Sequence, residues 1–361
     1  MKILVISYGV AEYDGRLQEL IRVAENLGQV ELCCCTKTAK EGLFDVDGEY
    51  LSAKTYLGFC RYVLKKSRGK KFDMLFADNL FAAPPALLLR LLKRPKYLVQ
   101  DVRELYFAEK MHGSSRFFAK FERRLMKNAD VVLAANEERA EIMEREFKLK
   151  KRPMVFENIR FLSGDFDEVE LQKKYEGVFR YSYNLVSTSG LFMARDTDKL
   201  IASMKNLDDR FGLFFVGSSK ESDVKRMREI MEEHGIQNVH LIGKVPMAEL
   251  VYIVRQCQIG LVHYHKRDLN NKFCASGKIY EFLHEGLPIV TTENPPLKNF
   301  CDAYGIGIAD DGFSKGIRTV AESYGAYQTR VREFVSCISV EEYNRAVAET
   351  IKAELGGVPC E

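Results

Sequence analysis

At 361 residues the chain is long enough for roughly two domains of about 150 residues each, and its 46% hydrophobic and 29% charged content excludes a disordered or fibrous protein. Nine cysteines, three of them contiguous at Cys33 to Cys35 and none in C-x-x-C spacing, exclude a disulfide scaffold and a zinc ribbon and fit the reducing cytoplasm. The net charge of +3 is unevenly spread: residues 1–165 hold 30 Lys and Arg against 23 Asp and Glu, whereas residues 166–361 hold 24 against 28.

The N-terminal run Lys2 to Ser7 meets Glu12 and Asp14 too soon for a secretory leader and reads as a first strand. Apolar runs follow at 29–34, 73–77, 96–100 and 130–134, separated by helical periodicity near 15–27, 56–67, 82–92, 114–128 and 137–147. Strand and helix in alternation predict parallel βαβ units. The longest apolar stretch, Phe81 to Leu89, spans nine residues and contains Pro84 and Pro85, well short of the roughly 20 that a membrane helix needs. Cations concentrate in Arg61 to Lys71, Arg90 to Lys96 and Arg116 to Lys127, the last carrying Phe117, Phe118, Phe121 and Leu125 at helical spacings. A basic helix with an aromatic face is able to lie on an anionic membrane; a solvated face over an ordinary core stripe has the same pattern. No nucleic-acid-binding motif accompanies the charge.

After Asn158 the pattern breaks into the polar segment Ser163 to Glu168, and from Tyr183 the alternation resumes, with strands near 184–189, 211–216, 239–242, 258–263, 287–291 and 306–308. The stretch from about 315 to 358 reads as helical throughout. The expected organisation is a first Rossmann-like domain over 1–165, a linker over 166–182, a second Rossmann-like domain over 183–315, and C-terminal helices over 316–361 that brace the two. Two doubly wound parallel sheets place their ligands at the carboxyl ends of the strands, so a crevice between them is the expected site.

The most informative window runs from Asn271 to Val290: a polar loop, a helix beginning near Ser276 or Gly277, a stop at Gly286 and a strand after Pro288. Lys278 and Glu281 are three apart and share a face. A helix start preceded by Ser276 and Gly277, with a lysine in its first turn, suits a diphosphate, and a carboxylate one turn later suits a ribose diol.

Ser276-Gly-Lys-Ile-Tyr-Glu-Phe-Leu-His-Glu-Gly-Leu-Pro-Ile-Val290 resembles the donor-binding segment of GT-B-fold glycosyltransferases of the family 4 (group 1) type. The likeness extends in order over nearly the whole chain, through Tyr13-Asp-Gly-Arg16, Val99 to Leu105, Asn128 to Val132, Glu157-Asn158, Ser189-Gly190, Phe215-Val-Gly217, His240 to Val245 and Cys257 to Val262. The resemblance implies an acceptor-binding first domain, a second domain for a nucleotide-diphosphate sugar, most simply a UDP-sugar, and retaining transfer without a metal or other cofactor. Its expected acceptor is a glycan or a lipid-linked glycan, in the synthesis of cell-surface polysaccharide or glycoconjugate, at the inner face of the membrane.

Carried over residue by residue, the resemblance puts Glu281 on the ribose and Lys278 on the diphosphate, with Gly190, Gly217, Gly243, Ser276 and Gly277 around the nucleotide. Arg103, Arg195 and Lys278 are the candidates for meeting charge on the leaving phosphate. Asp14, Arg16, Asp101, His263 and Phe273 are the candidates for contacting acceptor or sugar. Phe273 stands eight positions before Glu281, where the family has its first glutamate, and Arg103 stands where Asp-x-His-Glu has its histidine.

Plainer readings stay open. Lys278 and Glu281 also fit an i, i+3 surface pair, Arg103 fits local pairing with Asp101 or Glu104, and His263 fits a hydrogen-bonded core position. His263-Tyr-His265 has no third metal ligand at useful spacing. An epimerase or hydrolase on the same fold, or a non-catalytic subunit that binds a nucleotide or glycan, are the competing functions.

Overall fold

The computed structural model describes residues 1–11, 14–36, 47–52 and 55–356; Tyr13 and the end of the C-terminal stretch lie outside them. The chain forms two compact units, Met1–Asn158 with Ser339–Glu361, and Ile159–Ile338.

The first unit is built on a parallel sheet of β1 (Lys2–Val10), β2 (Gln29–Thr36), β3 (Asp47–Ser52), β4 (Met74–Asp78), β5 (Tyr97–Val102), β6 (Val131–Ala134) and β7 (Met154–Val155), in the order β3-β2-β1-β4-β5-β6-β7. The helices are α1 (Gly15–Glu25), α2 (Tyr56–Lys66), α3 (Asn79–Lys93), α4 (Gly113–Met126) and α5 (Glu137–Phe147). Buried on both faces, the central strands are apolar runs without alternation, and Ile3 to Ile6 and Met74 to Ala77 are almost wholly inaccessible. Two strands escaped the sequence reading: β3, which has no apolar run, and the two-residue β7.

The second unit carries β8 (Tyr183–Ser187), β9 (Phe211–Phe215), β10 (Val239–Leu241), β11 (Ile259–Val262), β12 (Ile289–Thr291) and β13 (Gly307–Ala309), in the order β10-β9-β8-β11-β12-β13. Its helices are α6 (Glu168–Lys174), α7 (Thr197–Ser203), α8 (Glu221–His234), α9 (Met247–Arg255), α10 (Leu269–Lys272), α11 (Lys278–His284), α12 (Pro295–Tyr304), α13 (Ser314–Glu322) and α14 (Tyr324–Ser336). Gly260 of β11 lets α11 lie close on the sheet, since a Cβ there would come within 2.4 Å of the Phe282 ring.

In each sheet the order reverses once, between β1 and β4 and between β8 and β11. At such a switch point the loops leave in opposite directions and open a crevice at the carboxyl ends of the strands.

The boundaries differ from the sequence expectation of 165, 166–182 and 316. Residues 166–182 belong to the second unit: α6 lies there, Lys174 donates to Glu249 at 2.6 Å, and Tyr175 and Phe179 pack on its core. The helical C-terminal stretch is three helices shared between the units. Its last, α15 (Val340–Glu354), joins the first unit because Val347, Ala348 and Ile351 pack into the core that holds Leu17 and Leu20, and Asn344 donates to Glu19 at 2.6 Å.

Glu122 of α4 is 1% exposed and its Oε1 has no hydrogen-bond partner. Burial, and then the nearby Asp101 and Glu104 carboxylates, push its pKa well above the usual range. An acid whose folded pKa is raised is neutral in the folded state when the unfolded chain has already ionised, so stability falls as pH rises above the ordinary value of 4.5. Glu122→Gln removes that loss. Urea unfolding at pH 8 is expected to show the variant more stable than the parent, with the two coinciding near pH 4; equal midpoints at both values would disprove the assignment.

Candidate active site

In the first unit, the switch-point loops bring together three carboxylates and two guanidinium groups. Asp14 caps α1 by accepting from Leu17 N at 3.1 Å, and Asp78 closes the apolar strand β4. Arg103, just beyond β5, donates from Nε to Asp78 Oδ1 at 2.7 Å, from a terminal nitrogen to Asp78 Oδ2 at 2.8 Å, and from the other to Asp14 Oδ2 at 2.6 Å. Arg16 faces Asp101 with two bonds of 2.8 and 2.5 Å and also donates to Phe156 O and Asn158 Oδ1. Ser7 donates to Asp78 Oδ2 at 2.5 Å.

Three negative and two positive charges in a buried cluster leave one charge in excess. Burial raises the Asp78 carboxyl above its usual range, and Asp101 and Asp14 add to the rise against the opposing pull of Arg103. Sequence spacing offered Asp101 or Glu104 to Arg103. The structure gives it Asp78 and Asp14 as hydrogen-bonded partners, keeps Asp101 Oδ2 as a looser ion pair at 3.7 Å, and gives Glu104 to Arg139 at 3.2 Å. Arg16 and Asp101 are interior, at 6% and 0% exposure, so only Asp14 and the edge of Arg103 reach solvent.

In the second unit, three loops meet at the carboxyl ends of β8, β9 and β10. Gly190 has φ +73° and Gly217 φ +125°, and a Cβ on Gly190 would lie 2.3 Å from Ser218 O. A Cβ on Gly217 would lie 3.1 Å from Gly190, and Gly217 N donates to Gly243 O at 2.7 Å, so the backbone links the three glycines. Among the described residues, the buried Oγ atoms of Ser187 and Ser276, Oγ1 of Thr188 and Nδ1 of His263 have no hydrogen-bond partner. Native proteins rarely leave buried polar atoms unsatisfied; these stand at the ends of β8 and β11 and before α11.

His263 is buried, its Nε2 lies 3.2 Å from Thr197 Oγ1, and burial, with Arg195 beside it, lowers its pKa to about 4. It is therefore neutral at pH 7. Phe273 ends α10, with the Lys272 ammonium 5.5 Å from its ring centre.

The expected i, i+3 pair between Lys278 and Glu281 does not form. Glu281 Oε1 instead accepts from Arg160, a residue the sequence reading passed over, with two guanidinium nitrogens at 2.7 Å. Among the described residues Lys278 Nζ has no hydrogen bond or ion pair. Burial, and then Arg160 and Arg195, depress its pKa against the pull of Glu281. Arg195 is exposed and lies over the Phe192 ring at 5.6 Å. Lys278, Arg195 and Arg160 thus share one neighbourhood, in which Glu281 is paired with Arg160 and the nearby Asp196 with Lys199 and Arg267; an excess of cations of this kind attracts an anion of more than one charge.

The sequence held a faint signal for two of the missed residues. Asp78 is the charged end of the wholly apolar run Met74 to Ala77, and Arg160 follows Glu157-Asn158 in the segment that joins the two sheets.

Residues 42–157 match the model of the glycosyl transferase 4-like domain. No curated protein matches the chain. Among solved structures, Anabaena HepE in complex with UDP is similar over 98% of this chain and 100% of its own, with 16% identity and a TM-score of 0.73. WaaG, a glycosyltransferase involved in lipopolysaccharide biosynthesis, is 15% identical over 97% of this chain and 99% of its own, with a TM-score of 0.64. Sucrose-phosphate synthase from Thermosynechococcus elongatus is 11% identical over 98% of this chain and 96% of its own, with a TM-score of 0.66. The chain has the two-domain GT-B fold, and within it residues 42–157 are similar to the glycosyl transferase 4-like domain.

Proposed function

We propose that this glycosyltransferase moves a sugar from a UDP-sugar to a glycan or lipid-linked acceptor, with the donor in the second unit. The observation that carries this reading is Lys278, half-buried in the same electrostatic neighbourhood as Arg195 and Arg160 and without a hydrogen bond or ion pair among the described residues. The UDP and UDP-glucose complexes of HepE support uridine as the base. In the transfer, the bond from the anomeric carbon to the β-phosphate oxygen breaks and the acceptor hydroxyl oxygen takes its place on the same face. The departing phosphate oxygen accepts the hydroxyl proton. Lys278 and Arg195 face the charge that develops there, and such preorganised charge is the largest lever on a barrier of this kind. In this reading the two side chains, not a divalent ion, carry that task, so EDTA leaves turnover unchanged.

Thermal unfolding with UDP, GDP, ADP, CMP and dTDP tests the donor. A nucleotide at about 100 times its dissociation constant adds about 2.7 kcal/mol, and UDP is expected to raise the midpoint of the parent but much less that of Glu281→Ala. No shift with any nucleotide would sink the reading.

One observation favours the second reading, a non-catalytic binding subunit: Arg103, in the position of the family's histidine, is committed to Asp78 and Asp14. UDP binding without release of UDP from UDP-glucose, in the presence or absence of acceptor, would move that reading forward.

The first unit supports a membrane-side acceptor. Helices α2, α3 and α4 carry nine Lys and Arg, and their single acid is the buried Glu122. Leu57, Phe81, Leu91 and Phe117 are exposed on the same helices, and Tyr56, Phe81, Phe117 and Phe118 form a ring cluster with centroids 4.8–6.0 Å apart. No helix among the described residues is long and apolar enough to cross a membrane. Each surface cation near an anionic leaflet contributes about 1 kcal/mol, so the protein is expected to sediment with phosphatidylglycerol vesicles at low salt, to release at high salt, and to ignore phosphatidylcholine. Equal sedimentation with both lipids would refute this contact.

A further inference from the structure

Arg160 holds Glu281 in an unusual way. A guanidinium commonly takes the two oxygens of a carboxylate side by side, but here Nε and a terminal nitrogen both lie 2.7 Å from the same oxygen, Oε1. Among the described residues no hydrogen bond reaches Oε2, although Glu281 as a whole is only 6% exposed.

The backbone that carries Arg160 is fastened on both sides of it. Phe161 stacks on His284 of α11, with ring centroids 4.1 Å apart and planes 16° from parallel. Leu162 is buried in the core of the unit, and Gly164 passes so near α9 that a Cβ on it would come within 2.9 Å of Ala248 Cα. Arg160 is therefore anchored to the helix that bears both Lys278 and Glu281. By spacing, Lys278 is the natural partner of Glu281, yet among the described residues its ammonium has no ion pair or hydrogen bond.

We infer that Arg160 is a positioning residue of the nucleotide site: by gripping Glu281 through Oε1 it presents Oε2 to the ribose diol and keeps the carboxylate away from Lys278, whose ammonium stays open to the diphosphate. The inference rests on the nucleotide-sugar reading above. Glu281 alone could swing to either task, and the ion pair settles which one it performs. The depressed pKa of Lys278, to which Arg160 contributes, agrees with the two sitting in one electrostatic neighbourhood.

The test is the affinity of UDP and of 2′-deoxy-UDP, measured by calorimetry on the full chain for the parent, Arg160→Gln and Arg160→Lys. A hydrogen bond to a charged group is worth about tenfold or more in affinity, so the parent is expected to prefer UDP by at least that factor. In Arg160→Gln the ratio should fall towards one and UDP affinity should drop about tenfold, as Glu281 turns to Lys278. Arg160→Lys, which keeps a cation on Glu281, should restore part of the ratio. A merely structural role would lower the unfolding temperature and weaken both nucleotides alike. An unchanged ratio in both variants overturns the inference while leaving the nucleotide reading intact. A parent that binds neither nucleotide overturns the nucleotide reading itself, and the inference with it.

Discussion

Lys278→Ala is expected to lower turnover of the donor sugar by about 100- to 1,000-fold, the loss typical of removing one preorganised donor from a developing oxyanion. The residue has the attributes that make such a loss large. Its side chain is half-buried, it has no partner among the described residues, and the cations near it exceed the carboxylates. A surface lysine neutralised by Glu281 would lose far less, since exposed pairs are worth only a fraction of a kcal/mol. Kinetics with and without substitution separate the two: a fall in kcat larger than the rise in KM marks an interaction made in the transition state.

The same residue sets a pH dependence. Burial, Arg160 and Arg195 all disfavour the charged amine, so its pKa lies below the ordinary lysine range. Only the ammonium form stabilises the leaving phosphate. Activity should therefore decline as pH rises through that lowered value, at lower pH than for an exposed lysine, and a kcat/KM profile that stays flat to the ordinary lysine range would count against the role.

Arg16→Ala is expected to destabilise the first unit by about 3 kcal/mol, at the lower end of the 3–5 kcal/mol that follows when one partner of a buried ion pair is removed. Asp101 is fully inaccessible and receives two of its hydrogen bonds from Arg16. Arg103 Nε, 3.7 Å from Asp101, compensates in part, which places the cost at the lower end. The Arg16 guanidinium also lies over the Phe156 ring at 4.6 Å and holds Phe156 O and Asn158, so its loss loosens the end of the unit as well. For a unit of this size the fall in unfolding midpoint is about 10 °C. Pairing Arg16→Met with Asp101→Asn should recover part of the loss, because the second change removes the stranded charge; a double variant as unstable as the sum of both would show that packing, not charge, governs the site.

The two predictions concern parts of the molecule that differ in how they could be read. The strands and helices were legible because each is a local pattern: apolar runs of four to eight residues bounded by turns, and periodicity of 3.6 between them. That is why β1, β4, β9 and β11, and helices such as α5 over Glu137–Phe147, lie within a residue or two of the sequence reading at most of their boundaries. Helix α11 was legible for the same reason, with Gly286 and Pro288 after it. The edge strand β3 was not, since Asp47–Ser52 has no apolar run.

The ion pairs were another matter. Spacing put Lys278 beside Glu281 and Arg103 beside Asp101 and Glu104, all neighbours along the chain; Glu281 went to a distant partner, and Arg103 kept Asp101 only at 3.7 Å while distant carboxylates took its hydrogen bonds. Arg160 reaches Glu281 across 121 positions, Arg103 reaches Asp14 across 89, and Arg16 reaches Asp101 across 85. A guanidinium with five donors in a planar fork binds wherever the fold presents a carboxylate in the right plane, and that plane is set by which strands lie side by side. By itself the sequence determined the alternation of elements, the fold class, and the helix that carries Lys278 and Glu281, because these follow from short-range periodicity and turn chemistry. Only the tertiary structure decided which charges neutralise one another, because the strand order that brings β1 beside β4 and β8 beside β11 is a property of the whole sheet.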